Sequence, residues 1–263
     1  MKYMLAVDYD NTLFQNDEIS KETIEAINEF RSLGNLFGIV SGRDYVTGFE
    51  TFKAENLFPF DFLLLKTGAM ACDANGDVLY ETTINGKMLW GESTLVPKLA
   101  KSAFECGANF CTVSVGKTRR YFYKNYPDGL DREFRTPHPH SELLDVEEVG
   151  QISVLCKTDE KATEVAKKLK TEFGSVLNPL QNTIAIDISP AGIDKATGIE
   201  KYAKYMGIPY ENIWVAGDNY NDLAMLKSYH SCAMTCGVDA AKEAAEYVCD
   251  TVGDVIKIIK EKA

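Results

Sequence analysis

Short apolar runs alternate with amphipathic stretches along the first third of the chain. The runs Met4–Val7, Leu36–Val40 and 60–65 are almost entirely apolar, which is typical of strands buried on both faces. Between the first two runs, apolar residues recur at helical spacing from the capping residue Ser20 to Gly34. This alternation predicts a parallel sheet with helices on its faces.

From about residue 84 the pattern changes to helices accompanied by pairs of short strands. Helices are predicted at about 92–106 and 159–173, in an order αββ…βαββ that is typical of an antiparallel sheet with helices on one face. From Asp187 onward, buried strands again alternate with amphipathic helices. We therefore predict a Rossmann-like α/β core formed by residues 1–83 and 187–263, interrupted by an inserted α+β cap domain at 84–186.

Composition narrows the class of protein. The chain of 263 residues carries a net charge of −11, which argues against binding to nucleic acid or to an anionic membrane. No apolar run is long enough to span a bilayer, and the N-terminal segment is not typical of a signal peptide. The seven cysteines are scattered, without a Cys-x-x-Cys motif, so we expect free thiols in a reducing cytoplasm and no zinc site.

Carboxylates follow the first apolar run directly. Asp8 and Asp10 lie two residues apart after Met4–Val7, and the hydroxyl of Thr12 comes next. Buried carboxylates are costly unless a cation or hydrogen-bond donors meet them. This cluster is suited to hold Mg²⁺ beside a phosphate, with one carboxylate available to attack phosphorus.

Three further polar clusters end apolar runs or begin a helix. They are Ser41-Gly42-Arg43, Lys195 at a predicted helix start, and the segment GDNYND at 217–222. In open α/β sheets, ligands bind outside the carboxyl ends of the strands. We therefore expect the four clusters to converge on one pocket.

Together with Asp8-Tyr9-Asp10-Asn11-Thr12, these clusters resemble the haloacid dehalogenase superfamily of phosphohydrolases. The length and the mid-chain insertion resemble its Cof-type sugar-phosphatase branch, which carries a large α+β cap of type IIB. The resemblance implies that Asp8 is the nucleophile, that Asp10 is the general acid and base, and that Lys195 neutralises the phosphoryl group.

The resemblance also implies a magnesium ion and its surroundings. Mg²⁺ would be held by Asp8, the backbone carbonyl of Asp10, and Asp218, with Asp222 supporting the metal from the loop. The phosphoryl oxygens would be bound by Thr12, Ser41, Gly42 and Asn221.

The chemistry of the residues agrees with these roles. A carboxylate accepts a phosphoryl group to form an aspartyl-phosphate, which water then hydrolyses. Mg²⁺ and Lys195 would offset the repulsion between Asp8 and an anionic substrate. Asp10 can protonate the leaving oxygen and then deprotonate the water.

Two regions are expected to affect which substrate is bound. The segment Thr67-Gly68-Ala69 stands where the branch usually carries Asn-Gly-Ala, a departure that concerns specificity more than catalysis. In the predicted cap domain, cationic and aromatic residues of the kind found in sugar or nucleotide pockets are candidates for contact with the leaving group: Arg119, Tyr121, Tyr123, Lys124 and His138.

The sequence thus predicts a cytoplasmic, Mg²⁺-dependent phosphatase that hydrolyses a small phosphorylated metabolite such as a sugar phosphate. A phosphomutase would use the same phosphorylated aspartate but return the group to a sugar. A non-enzymatic regulatory module would keep the phosphorylated aspartate as a switch. Neither nucleic acid nor a membrane is an expected partner, and the oligomeric state stays open.

Overall fold

The computed structural model describes residues 2–55, 59–124 and 138–262. Seventeen strands lie in this described part, in chain order: β1 Met4–Val7, β2 Leu36–Val40, β3 Phe62–Leu65, β4 Met70–Asp73, β5 Val78–Glu81, β6 Ile84–Asn85, β7 Leu89–Trp90, β8 Ser93–Thr94, β9 Phe110–Val115, β10 Thr118–Tyr123, β11 Glu148–Val149, β12 Gln151–Leu155, β13 Leu177–Asn182, β14 Ala185–Pro190, β15 Ile213–Gly217, β16 His230–Met234 and β17 Tyr247–Cys249.

The α-helices of the described residues are α1 Lys21–Ser32, α2 Phe49–Glu55, α3 Leu95–Cys106, α4 Asp159–Phe173, α5 Lys195–Met206, α6 Leu223–Ser228, α7 Asp239–Ala244 and α8 Val252–Lys262. None of them combines the length and the apolar character needed to cross a membrane.

The chain divides into two compact units. The first unit comprises Met1–Arg43, Thr47–Tyr80 and Ile193–Ala263, and the second comprises Asp44–Val46 and Glu81–Gly192. The α/β class with a central parallel sheet is confirmed in the first unit. All seven cysteines are free thiols, each within the described residues.

The first unit is built on an eight-stranded sheet in the order β17-β16-β15-β1-β2-β3-β4-β5. The strands from β17 to β3 are parallel, and β4 runs antiparallel to β3. Strand β1 lies in the middle, with Met4 paired to both Ile213 and Leu36, and its four residues are buried. Because β15, β1 and β2 are adjacent and parallel, the residues that follow them meet at one edge of the sheet.

Helix α5 starts at a well-defined residue. The side chain of Asp194 accepts a hydrogen bond from the Thr197 backbone N–H at 2.8 Å, and the Thr197 hydroxyl accepts one from the Asp194 N–H at 2.9 Å. This reciprocal arrangement satisfies two of the N–H groups that a helix start leaves unpaired. It makes Lys195 the first residue of the helix.

A close glycine contact sets the position of α5. A Cβ atom placed on Gly198 would lie 2.5 Å from the Gly68 Cα, and one placed on Gly68 would lie 2.5 Å from the Asp194 carbonyl oxygen. Only glycines allow such an approach. The segment after β3 therefore packs backbone to backbone on the first turns of α5.

The second unit contains a five-stranded antiparallel sheet in the order β10-β9-β12-β14-β13. One face of this sheet packs on α3 and α4 through apolar residues such as Val113, Ile152 and Val165. The register places Ser114 opposite Arg119 and Ser153 opposite Asp187, so the other face is polar.

The division of the chain differs from the predicted boundaries in three ways. Residues 81–83, predicted as core, belong to the second unit. The predicted boundary after residue 186 falls inside β14, which continues along its neighbours in the five-stranded sheet as far as Pro190. The short segment Asp44–Val46, predicted as core, belongs to the second unit. The reason is the buried carboxylate of Asp44, which accepts a hydrogen bond from Ser114 Oγ at 2.6 Å and pairs with Arg119 Nε at 3.3 Å.

Candidate active site

Three buried aspartates gather at the carboxyl edge of the parallel sheet. Asp8 follows β1, whereas Asp218 and Asp222 lie in the loop after β15. One carboxylate oxygen from each lies within 4.8 Å of the others. Three negative charges at this separation in a buried site repel one another strongly unless cations are close.

Lys195 supplies one such cation. Its Nζ donates to Asp8 Oδ1 at 2.7 Å and to Asp222 Oδ1 at 2.5 Å, and the side chain is fully buried. Burial alone would lower the pKa of Lys195, but the attraction of Asp222 and Asp8 outweighs it and raises the pKa above its ordinary value. The lysine therefore stays charged at neutral pH.

A single lysine does not balance three carboxylates. Burial, together with the negative charges of Asp222 and Asp218, raises the pKa of Asp8 well above its ordinary value although Lys195 opposes the shift. Burial and Asp222 raise the pKa of Asp218 to about 6. Both shifts show that the site favours an additional positive charge.

The Asp222 carboxylate holds the loop after β15 in place through hydrogen bonds. Its Oδ2 accepts hydrogen bonds from the backbone N–H groups of Asp218 at 2.9 Å and Asn219 at 3.0 Å, while its Oδ1 accepts from Lys195. The carboxylate thus fixes both the lysine and the backbone that carries Asp218. Support of a metal ion by Asp222 stays a prediction.

The donor set suits a magnesium ion. Mg²⁺ prefers hard oxygen ligands and uses one or two protein carboxylates, which Asp8 and Asp218 offer. The amide oxygen of Asn221 is buried and has no hydrogen-bond partner among the described residues. A cation or its bound water would satisfy this unpaired buried acceptor, which stands in the same loop as Asp218.

Asp10 lies outside this buried cluster. Its side chain is 54% exposed, and its carboxylate is paired with Arg43 at 2.6 Å. The backbone carbonyl of Asp10 as a metal ligand stays a prediction.

Of the residues predicted to bind phosphate, Thr12 contacts an aspartate of the cluster, and the others lie in loops at the same edge of the sheet. The hydroxyl of Thr12 is buried and donates to Asp218 Oδ1 at 3.0 Å. Ser41, also buried, follows β2, and its Oγ accepts from the Arg43 N–H at 3.2 Å. Gly42 and Asn221 stand in the loops after β2 and β15. Binding of phosphoryl oxygens by these groups stays a prediction.

The segment after β3 has an unusual backbone. Lys66, Thr67 and Gly68 have φ angles of 54°, 57° and 95°, so three successive residues adopt left-handed conformations. The Thr67 N–H donates to the Ser41 carbonyl at 3.0 Å, which ties this segment to the loop after β2. A β-branched residue such as Thr67 is strained in this conformation, which Asn tolerates better.

Most of the predicted substrate residues of the second unit make contacts within that unit. Arg119 pairs with Asp44 and donates to the Thr112 hydroxyl at 3.1 Å. Lys124 Nζ donates to the Phe104 carbonyl at 2.6 Å. The ring of His138 accepts from the Tyr121 N–H, and Tyr123 packs on Phe110 with ring centroids 4.6 Å apart. Contact of these residues with a substrate stays a prediction.

Sequence reasoning found the Ser41-Gly42-Arg43 motif but gave no role to Arg43 or to the following Asp44. The structure shows that both make charged contacts, Arg43 with Asp10 and Asp44 with Arg119. The available signal was an arginine at the end of a motif that follows a strand, with an aspartate directly after it.

A buried aspartate held by a lysine, beside two further carboxylates at the carboxyl edge of a parallel sheet, defines an α/β enzyme for phosphoryl chemistry. The family model of the haloacid dehalogenase-like hydrolases matches residues 5–259. The chain therefore belongs to the haloacid dehalogenase-like hydrolase family and is a phosphoric monoester hydrolase.

Relatives with named activities are similar over nearly their whole length. The 5-amino-6-(5-phospho-D-ribitylamino)uracil phosphatase YcsE of Bacillus subtilis is 26% identical, over 94% of this chain and 90% of that protein. The phosphatase YbjI of Escherichia coli, named for the same substrate, is 25% identical, over 99% of this chain and 97% of that protein.

Solved structures share the fold. The subclass IIB sugar phosphatase BT4131 superposes with a TM-score of 0.78 at 22% identity, over 98% of this chain and 99% of that one. A HAD/COF-like hydrolase from Plasmodium vivax also gives a TM-score of 0.78, at 23% identity, over 99% of this chain and 96% of that one.

Proposed function

We propose that this enzyme hydrolyses a small phosphorylated metabolite in a Mg²⁺-dependent reaction, through a phosphorylated Asp8. The observation that supports the proposal most is the position of the Asp8 carboxylate. It is buried, hydrogen-bonded by Lys195 at 2.7 Å, and grouped with Asp218 within 4.8 Å.

In the proposed first step, Asp8 attacks phosphorus. Lys195 holds one carboxylate oxygen, which leaves the other oxygen to form the new bond. Asp8 and Asp218 would hold Mg²⁺, which when bound would offset the negative charge of the phosphoryl group. The charge of Lys195, whose Nζ lies 2.7 Å from Asp8 Oδ1, would act in the same direction.

Proton transfer is assigned to Asp10. As the ester P–O bond breaks, its oxygen takes a proton from Asp10, and the alcohol leaves. Water then attacks the phosphorus of phosphorylated Asp8, passes a proton to Asp10, and releases inorganic phosphate and the Asp8 carboxylate. Asp10 suits a shuttle because its carboxylate, unlike that of Asp8, is accessible to solvent.

The proposed substrate is a phosphate ester of a sugar or a sugar alcohol. The named relatives act on a phosphorylated ribitylamino-uracil, in which a sugar alcohol carries the phosphate. Activity against a panel containing hexose phosphates, pentose phosphates and that pyrimidine derivative would identify the ester. The identity of the product separates the alternatives, because a phosphomutase returns an isomeric sugar phosphate instead of inorganic phosphate.

The substitution Asp8→Asn tests the proposal. It should abolish Mg²⁺-dependent release of phosphate from p-nitrophenyl phosphate and from the best ester of the panel, and it should prevent the trapping of a phosphorylated enzyme. The matched control is Asp239→Asn, because the Asp239 side chain is 95% exposed at the start of α7. Activity of Asp8→Asn equal to that of the control would refute the mechanism, and a long-lived phosphorylated Asp8 without turnover would favour the regulatory module.

A further inference from the structure

Arg43 and Asp10 form a bidentate ion pair. Arg43 Nε donates to Asp10 Oδ2 at 3.0 Å, and a terminal guanidinium nitrogen, Nη2, donates to Asp10 Oδ1 at 2.6 Å. Two parallel charge-assisted hydrogen bonds fix the direction of a carboxylate as well as its distance. The orientation of Asp10 is therefore set by the arginine.

The arginine itself is held on three sides. Its other terminal nitrogen, Nη1, donates to the Thr47 carbonyl at 3.2 Å. The guanidinium lies 5.0 Å from the ring centroid of Tyr9 and 5.8 Å from that of Phe52, at cation–π distance from both. Both rings are buried, with centroids 4.3 Å apart, so the guanidinium lies against a pair of packed aromatic rings.

The many contacts of Arg43 contrast with the exposure of Asp10. A carboxylate that is 54% exposed would otherwise rotate among several side-chain conformations. Proton transfer requires the carboxylate to lie within hydrogen-bond reach of the reacting oxygen. A partner that restricts the orientation of Asp10 therefore raises the fraction of molecules ready to react.

We infer that Arg43 is a positioning residue for Asp10, a role that rests on the proposed function. The guanidinium edge formed by Nε and Nη2 is occupied by Asp10, and Nη1 is directed to Thr47. These contacts favour action through Asp10 over direct binding of the phosphoryl group. Arg43 then affects both proton transfers, to the leaving alcohol and from the attacking water.

A substrate whose leaving group needs no proton distinguishes a role of Arg43 in positioning Asp10 from a role in phosphate binding or folding. With 2,4-dinitrophenyl phosphate, the burst of dinitrophenolate reports the phosphorylation of Asp8 without the help of Asp10. Arg43→Gln should leave this burst rate within about threefold of the wild-type rate, because no proton is transferred. Turnover of an alkyl phosphate should fall by about 100-fold, the scale expected when a catalytic group is misplaced by about 1 Å.

Breakdown of the phosphorylated enzyme provides the second readout, because it is measurable in every variant that gives a burst. Arg43→Gln should slow the decay of phosphorylated Asp8 in the wild-type background by about 10- to 100-fold. In the Asp10→Asn background it should change the decay by less than about twofold, since two residues that act as a unit are not additive.

Arg31 offers a matched control. It forms a bidentate pair with Asp61, with N–O distances of 2.7 and 3.0 Å, and its side chain is exposed to a similar degree. Arg31→Gln should leave the burst, the alkyl phosphate turnover and the decay unchanged. Arg43→Lys keeps a cation over the rings but not the two parallel bonds. It should show the same pattern as Arg43→Gln with a loss of about tenfold, which keeps the test available if Arg43→Gln unfolds.

Two outcomes would overturn the inference. A burst rate that falls as much as alkyl phosphate turnover would assign Arg43 to phosphate binding or to the fold. Equal slowing of decay with and without the Asp10 carboxylate would show that Arg43 does not act through Asp10. Failure of the proposed function is a separate result, because the wild-type enzyme would then show no phosphatase activity that Asp8→Asn abolishes.

Discussion

Lys195 is the residue on which the charge balance of the site depends. It is fully buried and contacts two carboxylates, so removing it leaves buried negative charges without their cation. Breaking a buried ion pair from one side typically costs about 3–5 kcal/mol. We predict that Lys195→Met lowers the free energy of unfolding by about this amount, measured by urea denaturation without Mg²⁺, and abolishes phosphatase activity.

The control for Lys195→Met lies on the same helix. Lys204 forms an ion pair with Glu200, and its side chain is 75% exposed. Lys204→Met should change the free energy of unfolding by less than about 1 kcal/mol, because exposed pairs contribute little. The addition of Asp222→Asn to Lys195→Met should recover part of the lost stability. A Lys195→Met protein as stable as Lys204→Met would contradict the prediction.

Thr67 adopts a left-handed backbone conformation that is unfavourable for threonine. Its φ of 57° lies between two other residues with positive φ, and a left-handed conformation costs a β-branched residue about 1–2 kcal/mol. We predict that Thr67→Asn raises the free energy of unfolding by about 1 kcal/mol, measured by urea denaturation. Thr183 has a φ of 49° outside the site, and Thr183→Asn serves as the comparison. A loss of stability in Thr67→Asn alone would show that the threonine side chain outweighs the strain.

Among single residues, those that follow a buried strand or begin a helix could be recognised from the sequence as candidates for the site. Asp8 and Asp218 follow apolar strands, and Lys195 starts a helix that a capping residue precedes. Convergence of the clusters was expected, but the individual pairs Arg43–Asp10 and Lys195–Asp222 were not predictable, because each joins segments far apart in sequence. The positive φ of Thr67 was equally hidden, since threonine favours other conformations.

At the element scale, the contact between Gly68 and Gly198 determines where α5 carries Lys195. Glycine inside a helix usually lowers stability, so sequence alone marks Gly198 as a weak point. The structure shows why a glycine is needed at this position, because a Cβ there would lie 2.5 Å from the Gly68 Cα. A methyl group would push the helix and its first residue away from Asp8.

We predict that Gly198→Ala lowers the free energy of unfolding by about 1–3 kcal/mol, as overpacking does, and lowers kcat with it. Gly253→Ala in α8 is the matched control. The nearest atoms to a Cβ at Gly253 are hydroxyls at 3.4 and 3.5 Å, which are ordinary contacts. This variant should be as active as the wild type and equally or slightly more stable. Thermal denaturation and steady-state kinetics of the two variants provide the measurements, and equal behaviour of both would exclude the helix displacement.

The elements themselves were largely predictable because they follow hydrophobic periodicity. Helix α1 begins after Ser20, whose Oγ accepts from the Thr23 N–H at 3.2 Å, as the capping signal indicated. Helix α3 begins at Leu95 instead of near residue 92, since the short strand β8 at Ser93–Thr94 precedes it. Two-residue strands such as β8 leave no periodic signal, so the sequence could not reveal them.

At the scale of the whole molecule, the crowded carboxylates couple stability to pH. A carboxyl group whose pKa is raised in the folded protein binds its proton more tightly there than in the unfolded chain. The stability that this proton provides is complete below the ordinary pKa of 3.8 and is lost as pH rises through about 6, the value for Asp218. The raised pKa of Asp8 acts in the same direction. The metal-free protein should therefore lose stability across this interval.

Mg²⁺ should reverse this loss, because it binds the ionised carboxylates. At about 100 times its dissociation constant it would add about 2.7 kcal/mol, or roughly 5–10 °C in Tm for a protein of this size. We predict an increase of this order at about pH 7.5 and a much smaller one at about pH 5, measured by calorimetry with Mg²⁺ and with EDTA. Asp218→Asn should remove the difference. An equal increase at both pH values would show that the metal binds elsewhere.

The three-residue segment Asp44–Val46 has a consequence for protein engineering. Specificity is often altered by exchanging a whole domain between homologues, and the natural crossover points here would be after Tyr80 and Gly192. Such a chimaera would receive Ser114 and Arg119 from the donor but Asp44 from the recipient, although the three side chains are in contact. The donor's residues 44–46 should therefore be transferred together with residues 81–192, so that a functional exchange needs two donor segments and four crossover points.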